Sequence, residues 1–209
     1  MKDILVTAGA TRNPIDSMRY ISANSSGQTG AWIAKQLAKT NNVTFLGSAE
    51  AICRCPSDVT KAEFTTTIDL MSKMKEWVQT HPLGMVVHAA AVGDYMAKDL
   101  DEKQKFPSGQ TEISVTLVPT HKILDLIHSW SPQATVVSFK AAKPNTTRAE
   151  LESITAAQAQ RTHSDAVFAN VIGQIQQQVL FWHNGTVQWS EQRADGLRGL
   201  VDWIESRSR

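Results

Sequence analysis

The chain has little of what marks several large protein classes. Its 209 residues include only two cysteines, Cys53 and Cys55, separated by Arg54. That spacing is tighter than the common metal-binding or redox pairs, so two ordinary reduced thiols are expected and a disulfide framework is not. Charge of one sign is missing too: 21 Lys and Arg stand against 20 Asp and Glu, a formal net charge of +1. No global basic field draws the chain to nucleic acid or to an anionic membrane, so any anion must be bound by a local arrangement. No apolar run approaches the roughly 18 residues of a membrane span, and Met1-Lys2-Asp3 leads into Ile4 without a long apolar signal core. A soluble, cytoplasmic protein is expected, with neither nucleic acid nor membrane as partner.

Three nucleotide fingerprints are also absent. The turn Thr7-Ala8-Gly9-Ala10-Thr11-Arg12 is not G-x-G-x-x-G, and the second apolar run ends Phe45-Leu46-Gly47 without the acidic residue that holds a dinucleotide ribose. The segment Ser25-Ser26-Gly27-Gln28-Thr29-Gly30 lacks a P-loop lysine. Tyr95 and Lys98 are three apart, so the Tyr-x-x-x-Lys pair of short-chain reductases is missing. A nicotinamide cofactor and hydride transfer are disfavoured.

What is present is an alternation of periods. Ile4 to Val6, Val43 to Leu46, Met85 to Val87, Ala134 to Ser138 and Ala166 to Ala169 are short apolar runs of the kind that form strands buried on both faces. Between them Ala31 to Ala38, Ile68 to Val78 and Thr147 to Gln160 read as helices, and Leu197 to Ile204 reads as a closing one. Thr120 is the expected N-cap of a short helix at Ile123 to Ile127. Residues 95–119 read as a polar loop, then an exposed strand with Ile113, Val115 and Leu117 alternating. Val179 to Trp182 and Val187 to Trp189 flank Asn184-Gly185 as a hairpin. The order predicts a doubly wound, mostly parallel, Rossmann-like α/β sheet with helices on both faces and a small antiparallel extension, in one domain over residues 1–209.

Ligands of such sheets bind beyond the carboxyl ends of the strands. Candidate residues there are Gly9 after the first strand, the Ser25, Gly27 and Gly30 loop before the first helix, and the block His88-Ala89-Ala90-Ala91-Val92-Gly93-Asp94-Tyr95. Phe139, Lys140 and Asn170 end two later strands. The serine–glycine loop offers hydroxyls and free helix-start N–H groups to a phosphate or carboxylate, or is a plain helix cap. Small residues at Ala90 and Ala91 let a ligand approach the backbone, and Asp94 offers a carboxylate. His88 is expected to be packed and hydrogen-bonded. Phe139 could be core, Asn170 turn chemistry, and Lys103 or Lys105 a mobile charge over a triphosphate.

Together these blocks resemble the phosphopantothenoylcysteine synthetase family. Ile4 to Asp16, Arg19-Tyr20-Ile21 with Ser25-Ser26-Gly27, His88 to Tyr95, Ser138-Phe139-Lys140 and Ala169-Asn170 stand in the family's order along nearly the whole chain. The resemblance implies that a phosphopantothenate carboxylate attacks the α-phosphate of CTP or ATP, with Mg2+ accompanying the triphosphate, and that cysteine then displaces the nucleotide. It implies Asn24, Lys103 and Asp94 as catalytic, and Gly9, Ser25, Gly27, Gly30, Ala90, Ala91, Phe139, Lys140 and Asn170 as binding residues. Metal ligands stay unassigned, no flavin is expected, and a homodimer is implied. The family reads Asn-x-Ser-Ser-Gly where this chain has Ala23-Asn24-Ser25-Ser26-Gly27, and Gln158 and Thr162 stand near lysines of fused relatives. A ligase with a changed acid or amine, or a nucleotide-binding homologue without turnover, are the alternatives.

Overall fold

The computed structural model describes residues 1–98 and 105–208. In chain order its elements are β1 (Asp3–Ala8), β2 (Arg12–Pro14), β3 (Tyr20–Ser22), α1 (Gln28–Leu37), β4 (Asn42–Gly47), α2 (Ala49–Ile52), β5 (Thr60–Glu63), α3 (Thr67–Thr80) and β6 (Met85–His88). They continue with β7 (Tyr95–Ala97), β8 (Leu117–Pro119), α4 (Ile123–Trp130), β9 (Thr135–Ala142), α5 (Arg148–Thr162), β10 (Ala166–Val171), β11 (Gln177–His183), β12 (Thr186–Gln192) and α6 (Arg193–Ser206).

The central sheet has eight strands in the order β12-β11-β10-β9-β6-β1-β4-β5. All neighbours from β5 to β10 are parallel, while β11 and β12 add on antiparallel. Successive residues of a strand face opposite sides, and the packing follows that rule. Ile4, Val6 and Ala8 of β1 join α1 and α6 on one face; Leu5 joins α3 and α4 on the other. α5 covers β9 and β10 beside α4. Ile4, Ile33, Leu37, Phe45, Leu70 and Phe168 are fully buried, each worth roughly 1.5–3 kcal/mol of transfer from water.

Local chemistry sets the ends of several elements. Thr147 accepts from the Glu150 N–H while the Glu150 carboxylate accepts from the Thr147 N–H, a capping box that starts α5. Asn184 and Gly185 both have positive φ, 47° and 80°, the backbone of a tight hairpin turn whose twist matches its strands.

The structure departs from the sequence expectations in two places. Thr120 does not cap α4: Lys122 holds the N-cap position without a side-chain cap, and the Thr120 hydroxyl donates to the Gly93 carbonyl at 2.6 Å. Ile113 and Val115 lie outside any strand, and Leu117 opens β8, which pairs with β7. Both differences draw the segment back onto the block that follows β6. The small pairs β2–β3 and β7–β8, the edge strand β5 and the one-turn α2 are further elements beyond that reading.

Candidate functional site

The sheet's direction of growth reverses at β1. From β1 the chain proceeds outward to β4 and β5, then returns to β6 on the other flank of β1. Crevices form where winding reverses, outside the carboxyl ends of the strands. Here the backbone beyond β6 runs against the backbone beyond β1: the Ala91 N–H donates to the Gly9 carbonyl at 2.8 Å, and the Thr11 N–H to the Ala91 carbonyl at 3.1 Å.

On the α4 and α5 side of this seam lies a cleft of about 310 Å³, lined by His88, Ala90, Ala91, Val92 and Asp94 and by parts of α4, α5 and the later half of β9. Its floor is neutral and polar. The Thr7 hydroxyl accepts from the Ala90 N–H at 3.2 Å and lies 2.8 Å from Nδ1 of His88. A hydroxyl carries two acceptor lone pairs beside its proton, so this contact forms with the imidazole proton on either ring nitrogen. Burial lowers the His88 pKa from 6.5 to about 4, so the ring is neutral near neutral pH. Gln158, 8% exposed, donates from Nε2 to Ser138 Oγ (3.0 Å) and the Phe139 carbonyl (3.2 Å). Both amide hydrogens are thereby engaged, so Oε1 is left as an acceptor.

The cleft's rim is charged. Lys122 pairs with Asp94, Arg161 with Asp125, and Lys140 also lines the cleft. No ion pair among the described residues includes Lys140. A neutral floor of fixed donors and acceptors below a cationic rim suits a polar organic group that carries a phosphate.

Across the seam, on the α1 and α6 side, Gly27 is the N-cap of α1 with φ 74° and no side-chain cap. Ser25 and Ser26 therefore do not cap the helix, and the N–H groups of its first turn stay available. The glycines hold this corner tight. A Cβ on Gly9 would lie 2.1 Å from Ser48 Oγ, one on Gly27 2.3 Å from the Ala51 Cβ, and one on Gly30 2.5 Å from the Ala8 Cβ. Packing against β1 and α2 is thus a sufficient reason for glycine at all three positions. Asn170 ends β10 on this side, where its Oδ1 accepts from Arg193 Nη1 at 3.1 Å.

The sequence-predicted residues that are described end up near the carboxyl edge, but the sheet divides them. Ala90, Ala91, Asp94, Phe139 and Lys140 line the cleft. Gly9, Ser25, Gly27, Gly30 and Asn170 belong to the α1 and α6 side, and Asn24 is exposed in the loop before α1. Phe139 lines the cleft and packs on Phe168 with ring centroids 5.6 Å apart. Lys103 lies outside the described residues; Lys105 is exposed. Just beyond it the Phe106 N–H donates to Asp16 Oδ2. Burial pushes the Asp16 carboxyl up, but hydrogen bonds from the Met18, Phe106 and Arg19 amides and the Arg19 guanidinium outweigh this and bring it to about 2. His121, Arg161 and Arg193 were missed, since no motif marks a lone basic side chain on a helix or turn.

Among the described residues no group of three His, Cys, Asp or Glu is arranged to hold a metal ion. Asp94 is the one carboxylate among the described lining of the cleft, and it is exposed and paired. This donor set does not make a protein cage, but it fits a Mg2+ carried in on phosphates with water completing its shell. Cys53 and Cys55 are free thiols, the latter raised by burial. Among the described residues no helix is long and apolar enough to cross a membrane.

Residues 1–195 match the family model described as the DNA/pantothenate metabolism flavoprotein C-terminal domain. The chain is 35% identical over 176 residues to the coenzyme A biosynthesis bifunctional protein CoaBC of Thermococcus kodakarensis, covering 82% of this chain and 41% of that protein. It thus spans less than half the length of that relative. In fold it is similar to the DNA/pantothenate metabolism flavoprotein of Streptococcus pneumoniae, with a TM-score of 0.86, 24% identity, and coverage of 99% of this chain and 100% of that one. A Cab2 mutant in complex with phosphopantothenate-cysteine superposes with a TM-score of 0.76 at 20% identity, covering 100% of this chain and 89% of that one.

Proposed function

Because this chain belongs to the DNA/pantothenate metabolism flavoprotein C-terminal domain family, we propose that it is a phosphopantothenate–cysteine ligase of coenzyme A biosynthesis. The observation that carries the reading is the divided site at the β1–β6 seam. A neutral polar cleft with a cationic rim lies on one side, and an open helix start lies on the other. Two substrates that must react with each other need two adjoining subsites.

In this reading a phosphopantothenate carboxylate oxygen attacks the α-phosphorus of CTP or ATP, and the bond to the β-phosphate oxygen breaks, releasing pyrophosphate. The cysteine amine then attacks the acyl carbon and forms the amide. The nucleoside monophosphate departs, and the amine proton passes to solvent or phosphate. Both nucleophiles are substrates, so the chain supplies positioning and charge neutralisation. Lys140 and the lysines at 103 and 105 neutralise phosphate. The Ala90 and Ala91 backbone forms the shared floor, and Asn24 and Asp94 act near the reacting acyl group. Gly9, Ser25, Gly27, Gly30, Phe139 and Asn170 enclose the nucleotide. A bound Mg2+ supplies charge neutralisation of the triphosphate. No flavin takes part.

A homodimer is part of the proposal. The β2–β3 and β7–β8 pairs lie together through the Asn13 Nδ2 bond to the Tyr95 carbonyl, and they leave Met18, Tyr20, Tyr95 and Leu117 exposed. Such an apolar group beside the cleft is what a second subunit would cover. The whole of residues 1–209 acts as one domain, in the cytoplasm.

Pyrophosphate release by the purified protein tests the reading, with phosphopantothenate, Mg2+ and either CTP or ATP, each with and without cysteine. Release that requires phosphopantothenate, with amide product on adding cysteine, is expected. No release with either nucleotide would move the assignment to a changed acid or amine, or to a binding-only homologue.

A further inference from the structure

Arg193 opens α6 under conditions that disfavour a cation. It stands in the first turn, where the helix dipole is positive. It is half-buried, which lowers its pKa, and none of the ion pairs among the described residues includes it. Its partners are neutral: Nη1 donates to Asn170 Oδ1 at 3.1 Å and to the Ile175 carbonyl at 3.4 Å, and Nη2 donates to Thr29 Oγ1 at 3.2 Å. The guanidinium carbon lies 5.3 Å from the Phe168 ring centroid. The same helix turn has a carboxylate, but Asp195 pairs with Arg198.

The direction of these bonds matters more than their number. A guanidinium has donors only. The amide atom facing it must therefore be Oδ1, which turns the Asn170 Nδ2 and its two hydrogens away. Among the described residues that nitrogen has no acceptor, and it is not sealed from solvent. Thr29 is treated alike: its oxygen accepts, so its own proton is left to donate. Asn170 and Thr29 are each able to donate or accept, and one arginine converts both into donors beside the open N–H groups at the start of α1. Donors alone, next to a cation without a carboxylate, complement a ligand surface of acceptor oxygens, as on a polyphosphate chain.

We propose that Arg193 is a positioning residue for the nucleoside triphosphate, clasping β10 to α1 through Asn170 and Thr29 so that both present hydrogens to the phosphate oxygens. The proposal rests on the functional reading above. A lysine keeps the charge but is a point donor without the planar fork that spans two acceptors.

Isothermal titration of CTP and ATP with Mg2+ into the full chain tests this, alongside Arg193→Lys, Arg193→Gln and Asn170→Asp, with thermal melting of each protein alone. For the nucleotide the wild type prefers, Arg193→Gln and Arg193→Lys are both expected to weaken binding by about 10- to 100-fold, the range for a lost hydrogen bond to a charged group. Asn170→Asp gives Arg193 an ion-pair partner but places acceptors where the amide hydrogens were. It is expected to melt no lower than wild type while binding at least about tenfold more weakly, a combination that a purely structural role would not give. Wild-type affinity in Arg193→Lys would show that charge alone suffices, and wild-type affinity in Asn170→Asp that the amide's direction is irrelevant; either overturns the proposal. A wild-type chain that binds neither nucleotide would instead remove the functional reading and this proposal with it.

Discussion

The Thr7 hydroxyl and Nδ1 of His88 meet across the β1–β6 seam, at 2.8 Å, where burial keeps the ring neutral. Its pKa of about 4 against an ordinary 6.5 means that between these values the unfolded chain binds a proton that the folded chain refuses. Stability therefore rises with pH through that window and is lost as pH falls through it, by up to about 3 kcal/mol for the whole shift. Urea denaturation of wild type and His88→Asn from pH 7 to pH 4 should give a steeper fall for wild type, by up to about 1.4 kcal/mol per pH unit. Parallel curves would mean that His88 is not the group titrating.

Two glycines should respond to alanine with opposite signs. Gly30→Ala drives a methyl to 2.5 Å from the Ala8 Cβ and is expected to cost about 1–3 kcal/mol through overpacking of α1 on β1. Gly199 sits inside α6 with nothing within 4 Å of an added Cβ, so Gly199→Ala should gain about 0.5–1 kcal/mol of helix stability. Scanning calorimetry of both variants reads the two signs directly.

Gln158→Glu replaces the donor that serves the Phe139 carbonyl with an acceptor at a nearly buried site. The introduced carboxyl should hold its proton above its ordinary pKa of about 4.3. The sign is then opposite to that of His88: relative to wild type, the variant should be least impaired near pH 4 and lose further stability as pH rises through the raised pKa. A penalty that stays flat with pH would mean the side chain has swung out of the floor.

Ala23→Asn restores the amide that the family motif carries, on an exposed loop where the exchange should leave the stability within about 0.5 kcal/mol of wild type. Turnover in the pyrophosphate assay should rise if the acyl group lies beside position 23, while Asn24→Ala should lower it if the neighbouring amide has taken over. Opposite responses of the two variants in kcat, at unchanged melting, distinguish the positions.

The sequence made the central strands legible because the middles of β1, β6, β9 and β10 are buried on both faces and so contribute short apolar runs. β5 was invisible for the converse reason. Thr60-Lys61-Ala62-Glu63 is exposed throughout and owes its conformation to backbone pairing with β4 alone, which leaves no side-chain period to detect. Thr120 was legible as a polar residue before a helix, but its hydroxyl found a tertiary carbonyl at Gly93 that local pattern does not encode. At the site, Lys140 and Asn170 lie toward the carboxyl ends of β9 and β10, but the division between faces follows from strand parity, which only becomes concrete once helices are assigned to sides. Arg193 gave no signal, because its meaning lies in partners 23 and 164 residues away.

The seam between β1 and β6 is also a matter of timing. Joining Thr7 to His88 closes a span of 81 residues, whereas β11 and β12 meet across a two-residue turn. Chain-closure entropy favours the local pairing first, on the microsecond scale of hairpins, and leaves long-range parallel pairing for later. A refolding chain therefore acquires its hairpin well before its cleft, and closure of the Thr7–His88 contact is one of the last events of its assembly.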